Sequence, residues 1–110
     1  MSRTVLLRRK PLRTAYRRGV AFERTIKKDL EARGYFVLRS AGSHSPVDLV
    51  ALRWDRDVLL VQCKAHGVLS PADRAVLDEL ETKTDGTAVL AAQERGGWSY
   101  SYLSGQEMQP

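Results

Sequence analysis

Two apolar segments, Val47–Arg53 (VDLVALR) and Val58–Ala65 (VLLVQCKA), are separated by only four polar residues, Trp54–Asp57. A link that short joins antiparallel neighbours, because parallel strands need a crossover of a dozen residues or more. Tyr35–Arg39 (YFVLR) reads as a further strand and reaches this pair through the turn-rich Ser40-Ala-Gly-Ser-His-Ser-Pro46, so three consecutive strands form a meander. Helical periodicity brackets the meander. Over Gly19–Arg33, Phe22, Ile26 and Leu30 recur at i, i+4 and i+8, with Arg24, Lys27, Lys28 and Glu31 on the other side and Gly34 as the stop. Ser70, Pro71 and Asp73 open a second helix as N-cap, first position and approximate capping box. Its stripe is Ala72, Val76 and Leu80, and it ends near Asp85-Gly86. Thr87–Ala92 is apolar without alternation, as in a strand buried on both faces. Gly96-Gly97 then turns the chain into Trp98–Leu103, whose alternation puts Trp98, Tyr100 and Tyr102 on one face. The expected order is α-β-β-β-α-β-β, an α/β chain.

With 110 residues, 43% of them hydrophobic and 28% charged, the chain has the size and balance of one globular domain. Its net charge of +5 is unevenly placed. Residues 1–18 carry Arg3, Arg8, Arg9, Lys10, Arg13, Arg17 and Arg18 with no acid, so the rest of the chain, with 11 bases and 13 acids, is slightly negative. The expected division is a basic flexible arm over 1–16, a domain over 17–104 and a frayed tail over 105–110. Such an arm suits a polyanion, and a solubilising tail is the plainer alternative. Val5-Leu6-Leu7 is too short for a signal peptide or a membrane span, and no stretch approaches 18 apolar residues. A single Cys63 excludes an internal disulfide and multi-cysteine metal clusters, which fits a reducing, intracellular and cytoplasmic setting.

Three polar positions break the pattern. Glu23 sits at the edge of the first helix's apolar stripe, where it serves either a site or a surface pair with Lys27. Asp48 interrupts a strand that otherwise reads as buried; such a carboxylate needs a hydrogen bond, a cation, a proton or a metal, and capping the preceding turn is the simpler reading. Gln62 and Lys64 point the same way by strand alternation, toward a site or merely toward water. With Asp55-Arg56 at the turn centre, paired residue numbers sum to about 111, which brings Asp48 level with the end of the next strand. A carboxylate, an amide oxygen and a lysine then converge beneath Glu23. That oxygen set suits Mg²⁺ or Mn²⁺, whereas Zn²⁺ would want more than Cys63, His44 and His66. Lys64 would place charge at a phosphate or an attacking water. The Trp98–Tyr102 aromatic face suits core packing better than base stacking.

These residues carry a resemblance to the archaeal-type (Hjc-like) Holliday junction resolvases of the PD-(D/E)xK nuclease superfamily. The matching pieces are Arg17-Arg-Gly-Val-Ala-Phe-Glu-Arg24, Gly34-Tyr-Phe-Val-Leu-Arg-Ser40, Ser43, Pro46-Val-Asp-Leu-Val50 and Val61-Gln-Cys-Lys64, and the likeness spans Arg17 to about Leu103. It implies a restriction-endonuclease-like mixed β-sheet with flanking helices. It further implies that Glu23, Asp48 and Gln62, with the Cys63 carbonyl, surround a divalent metal, that Lys64 assists the attacking water, and that Ser43 approaches the scissile phosphate. Arg24 and Arg39 would hold the DNA backbone, alongside Arg8, Arg9, Lys10, Arg13, Arg17 and Arg18 of the basic segment. Gln62 departs from the pattern, which expects Glu.

The implied activity is a metal-dependent endonuclease that resolves four-way DNA junctions, with Mg²⁺ as cofactor and Mn²⁺ as substitute. Two strands must be cut and the chain has one site, so a C₂ homodimer is expected, reading shape and phosphate and not base edges. Other readings are a nuclease for flaps, mismatches or a specific duplex, given that YraN-like proteins also resemble the helix-meander unit, and a degenerate, binding-only protein with Gln62 at fault.

Overall fold

The computed structural model describes the backbone of residues 2–40, 45–66 and 68–110, and side chains from residue 17 onward within them. Helix α1 (Ser2–Ala32) is followed by strands β1 (Phe36–Arg39), β2 (Leu49–Leu52) and β3 (Leu59–Lys64), helix α2 (Pro71–Thr84), and strands β4 (Thr87–Glu94) and β5 (Gly97–Tyr102). The α-β-β-β-α-β-β order is the expected one. The strands form a single sheet in sequence order; β3 and β4 run parallel, joined by α2 as the crossover, and every other pair is antiparallel.

Strand alternation sends side chains to two separate cores, one under each helix. Phe22, Ile26 and Leu30 of α1 pack on Val37, Leu49, Ala51, Leu59, Val61, Val89, Ala91 and Tyr100. On the opposite face Leu77 of α2 packs with Val47, Leu60, Leu69 and Ala88. The α1 stripe is therefore as the periodicity predicts. The α2 stripe is not: Leu77 is fully buried, Leu80 is partly buried, and Val76 is exposed along with Ala72. Spacing of four from Ala72 selects a neighbouring face, and the larger Leu77 side chain takes the buried position. The caps of α2 follow the sequence, with Ser70 Oγ accepting the Asp73 N–H (3.1 Å) and Asp85 closing the helix in the left-handed region at φ 55°.

Three expectations need correction. Helix α1 begins at Ser2 and not at Gly19, so the backbone of the basic segment continues the helix; its Leu, Arg, Lys and Ala residues are good helix formers and extend a turn already nucleated. The β2–β3 register pairs Leu49 with Val61 and Ala51 with Leu59, so paired numbers sum to 110. The tighter turn lies at Arg53–Arg56, where the Arg56 N–H donates to the Arg53 carbonyl (3.2 Å) and Arg53 pairs with Asp55 (2.7 Å). Lastly, the C-terminal segment is not frayed. It turns back at Gly105 (φ 92°), Met108 N–H donates to the Tyr100 carbonyl (2.9 Å), and Met108 is buried in the α1-side core.

At its other end α1 stops in a Schellman motif, the Tyr35 N–H bonding the Leu30 carbonyl (3.1 Å) and the Gly34 N–H that of Glu31 (3.0 Å) with Gly34 at φ 94°. Among the described residues no helix is long and apolar enough to cross a membrane.

Candidate active site

Strand β3 is longer than its antiparallel partner. Past the Leu49–Val61 pair, β2 has ended, and Gln62, Cys63 and Lys64 continue beside β4 alone. Asp48 occupies the fork. Its N–H donates to the Val61 carbonyl (2.8 Å) and its Oδ2 accepts the Cys63 N–H (2.8 Å), so the β3 backbone holds both its main chain and its carboxylate. With the corrected register Asp48 lies level with Gln62. Helix α1 crosses above, and Gly19, Val20, Glu23, Asp48, Gln62 and Cys63 line one cleft of about 240 Å³.

Gln62 is the one buried polar residue of the described set, with 7% of its surface exposed. Its Nε2 donates to the Cys63 carbonyl (3.4 Å), while its Oε1 is buried with no hydrogen-bond partner among the described residues. An amide oxygen so placed is costly, by roughly 1–3 kcal/mol, unless something in the cleft satisfies it. Burial raises the Asp48 pKa, the Cys63 N–H opposes that shift, and the Glu23 charge raises it further, ahead of smaller lowering effects from Lys64 and Arg39. Two carboxylates that repel each other beside an orphaned carbonyl oxygen form a set that a hard cation relieves. A soft metal would find only one thiol here, Cys63, whose pKa is pushed up by burial first and then by the Asp48 and Glu23 charges. Among the described residues no three His, Cys, Asp or Glu side chains gather, so a cation would rely on two carboxylates and the Gln62 amide.

Lys64 is half-buried at the end of β3 and forms no ion pair among the described residues, yet its charge reaches Asp48. Arg39 Nη2 lies 3.5 Å from Glu23 Oε2, and with Arg17, Val20, Ala21 and Arg24 it lines an adjoining cleft of about 410 Å³. Arg18 lies apart from these three, in a different cleft beside Trp98. Glu23, Asp48, Gln62, Cys63 and Lys64 are thus together, with Arg17, Arg24 and Arg39 alongside. Ser43 and His44 lie outside the described residues, as do the side chains of Arg8, Arg9, Lys10 and Arg13. Sequence reasoning did not single out Gly19 and Val20 as cleft residues. Their signal is helical spacing: Gly19 stands four residues before Glu23 on the same face, and its missing side chain leaves the cleft open.

The chain has known relatives. Residues 14–69 match the family profile described as archaeal Holliday junction resolvase (Hjc). The chain belongs to that family. Over 53 residues it is 49% identical to the crossover junction endodeoxyribonuclease Hjc of Methanocaldococcus jannaschii, a match covering 48% of this chain and 38% of the relative. The matched region therefore spans well under half of that relative's length. The solved structure of Archaeoglobus fulgidus Hjc, a Holliday junction resolvase, superposes with a TM-score of 0.66 at 25% identity, covering 78% of this chain and 73% of the other. The mixed five-stranded sheet flanked by helices is the architecture of that structure.

Proposed function

We propose that this chain is a divalent-cation-dependent endodeoxyribonuclease that resolves four-way DNA junctions. The observation that carries the reading is the buried, unpartnered Gln62 Oε1 in one cleft with Asp48 and Glu23, flanked by Lys64 and three arginines. Glu23, Asp48 and Gln62 would hold Mg²⁺ or Mn²⁺, with the Cys63 carbonyl as a further donor. When bound, such an ion supplies positive charge to the phosphate and lowers the pKa of water.

The chain's own groups do the rest. Asp48, fixed by two backbone hydrogen bonds, orients its free oxygen toward the cleft. Lys64 donates to the incoming water or the phosphate and offsets negative charge as it develops. Arg17, Arg24 and Arg39 hold the phosphates beside the cut, and the basic half of α1 extends that contact along the backbone. Ser43, outside the described residues, is the group that the family resemblance assigns to the scissile phosphate. One cleft makes one nick, so paired nicks require two copies, related by a C₂ axis.

A substrate panel tests this. With Mg²⁺, labelled four-way junctions should receive symmetric paired nicks while matched duplex, flap and mismatch substrates stay intact. Equal cutting of any of the other three would reassign the substrate. Tight junction binding without nicking under Mg²⁺ and Mn²⁺ would leave a binding protein, the reading that neutral Gln62 in place of Glu favours.

A further inference from the structure

The aromatic face of β5 divides in two. Tyr100 is buried, whereas Trp98 and Tyr102 keep 37% and 39% of their surface exposed. Trp98 is the wall of a cleft of about 440 Å³ that lies on the other flank of α1 from the candidate active site, with Arg18, Phe22 and Thr25 on the helix and Gln93, Glu94 and the Gly96-Gly97 turn on the hairpin. The same helical turn serves both clefts: Gly19, Val20 and Glu23 face one, Arg18, Ala21, Phe22 and Thr25 the other.

We infer that this cleft is a nucleotide pocket, which receives an unpaired, amino-bearing base from the branch of the DNA substrate, stacked on Trp98. The inference rests on the proposed nuclease reading and adds a second contact to it. Four observations converge. The indole is mostly packed, with 37% of its surface left exposed at the cleft wall, so a stacking platform exists before any ligand arrives. Arg18 is exposed and has no partner among the described residues, leaving a cation for the nucleotide's phosphate. Added side-chain atoms at Gly96 and Gly97 would meet nothing within 4 Å, so the hairpin leaves room for a planar group. Gln93 and Glu94 offer an amide and a carboxylate, and the carboxylate accepts from the exocyclic amine of adenine, cytosine or guanine, a donor that thymine lacks. Glu94 also argues against a bare phosphate as the occupant, since it would repel one. Base–aromatic stacking tolerates sequence, as contact with a branch point requires.

The test uses Trp98 as its own reporter. Trp54, the other tryptophan, is almost fully exposed, so Trp54→Phe leaves Trp98 as the only indole. Short single-stranded oligo-dC, oligo-dA and oligo-dT are titrated into this variant in EDTA, which separates binding from nicking. Oligo-dC and oligo-dA should quench Trp98 emission, with oligo-dT binding more weakly. Trp98→Ala should raise the Kd for oligo-dC and for the junction by about 5- to 150-fold, the range of base–aromatic stacking, while Trp98→Phe raises it less. Because Trp98→Ala also removes a partly packed side chain, exposed Arg18→Ala provides the variant that leaves the fold alone and should weaken oligo-dC binding as well. No quenching by any oligonucleotide, or an unchanged oligo-dC Kd in both Trp98→Ala and Arg18→Ala, overturns the pocket. Junction nicking that persists in either case leaves the nuclease reading intact, whereas quenching without nicking overturns only the latter.

Discussion

A single oxygen atom, Gln62 Oε1, carries more information than any other in the cleft. Buried and without a hydrogen-bond partner among the described residues, it is the atom that a cation held in the proposed site would satisfy. Gln62→Glu should therefore retain or raise nicking and tighten Mn²⁺ binding, read by calorimetry; loss of both would give Gln62 another role. Sequence alternation pairs Gln62 with Lys64 and sets Asp48 near their level, but the count is one residue off because the turn closes at Arg53–Arg56, which residue counting cannot see. Asp29 makes a second residue-scale case. Burial pushes its carboxyl up, but hydrogen bonds from Tyr100 (2.6 Å) and Arg33 (2.9 Å), with the Arg33 charge, outweigh that and hold it below the ordinary value of 3.8. A depressed folded pKa gives stability that is present above the unfolded value and is lost as pH falls through the folded one. Asp29→Asn should therefore cost about 1 kcal/mol at pH 7, read as a lower Tm, and the gap from the parent should shrink toward pH 3. A gap that widens in acid would invert the assignment.

At the scale of elements, helix α2 separates what local chemistry dictates from what packing decides. Its start was legible because Ser70, Pro71 and Asp73 are a capping sequence whatever lies above them, and Ser70→Ala should lower stability by about 1 kcal/mol in denaturant melts. Its buried face was not, because two four-residue spacings compete and the sheet beneath selects Leu77 over Val76. Leu77→Ala should cost about 2–5 kcal/mol and Val76→Ala well under 1, and equal losses would contradict the packing. The C-terminal segment was illegible for a related reason. Gly105 and Met108 fold back through backbone bonds to Tyr100 and Tyr102, which no composition rule anticipates. Strand order in the meander, by contrast, followed from loop lengths alone.

Taken whole, the molecule joins a nearly neutral α/β body to a helix whose first half carries most of the surplus charge. Charge arithmetic located that polycation, though not its helical backbone. Deleting residues 1–14 should raise the junction Kd and flatten its salt dependence, since the parent slope on logarithmic axes is set by the phosphates met, roughly −5 to −6 at most for seven bases. An unchanged slope would reduce the segment to a solubilising extension. The central claim, however, is that the fork between β2 and β3 cuts what the arginines grip. The most direct measurement compares wild type with Asp48→Asn and Lys64→Ala on a labelled four-way junction in Mg²⁺, recording nicking rate and Kd together. The predicted result is nicking abolished in both variants with Kd within about twofold of wild type; undiminished nicking in either variant would contradict the assignment of the site.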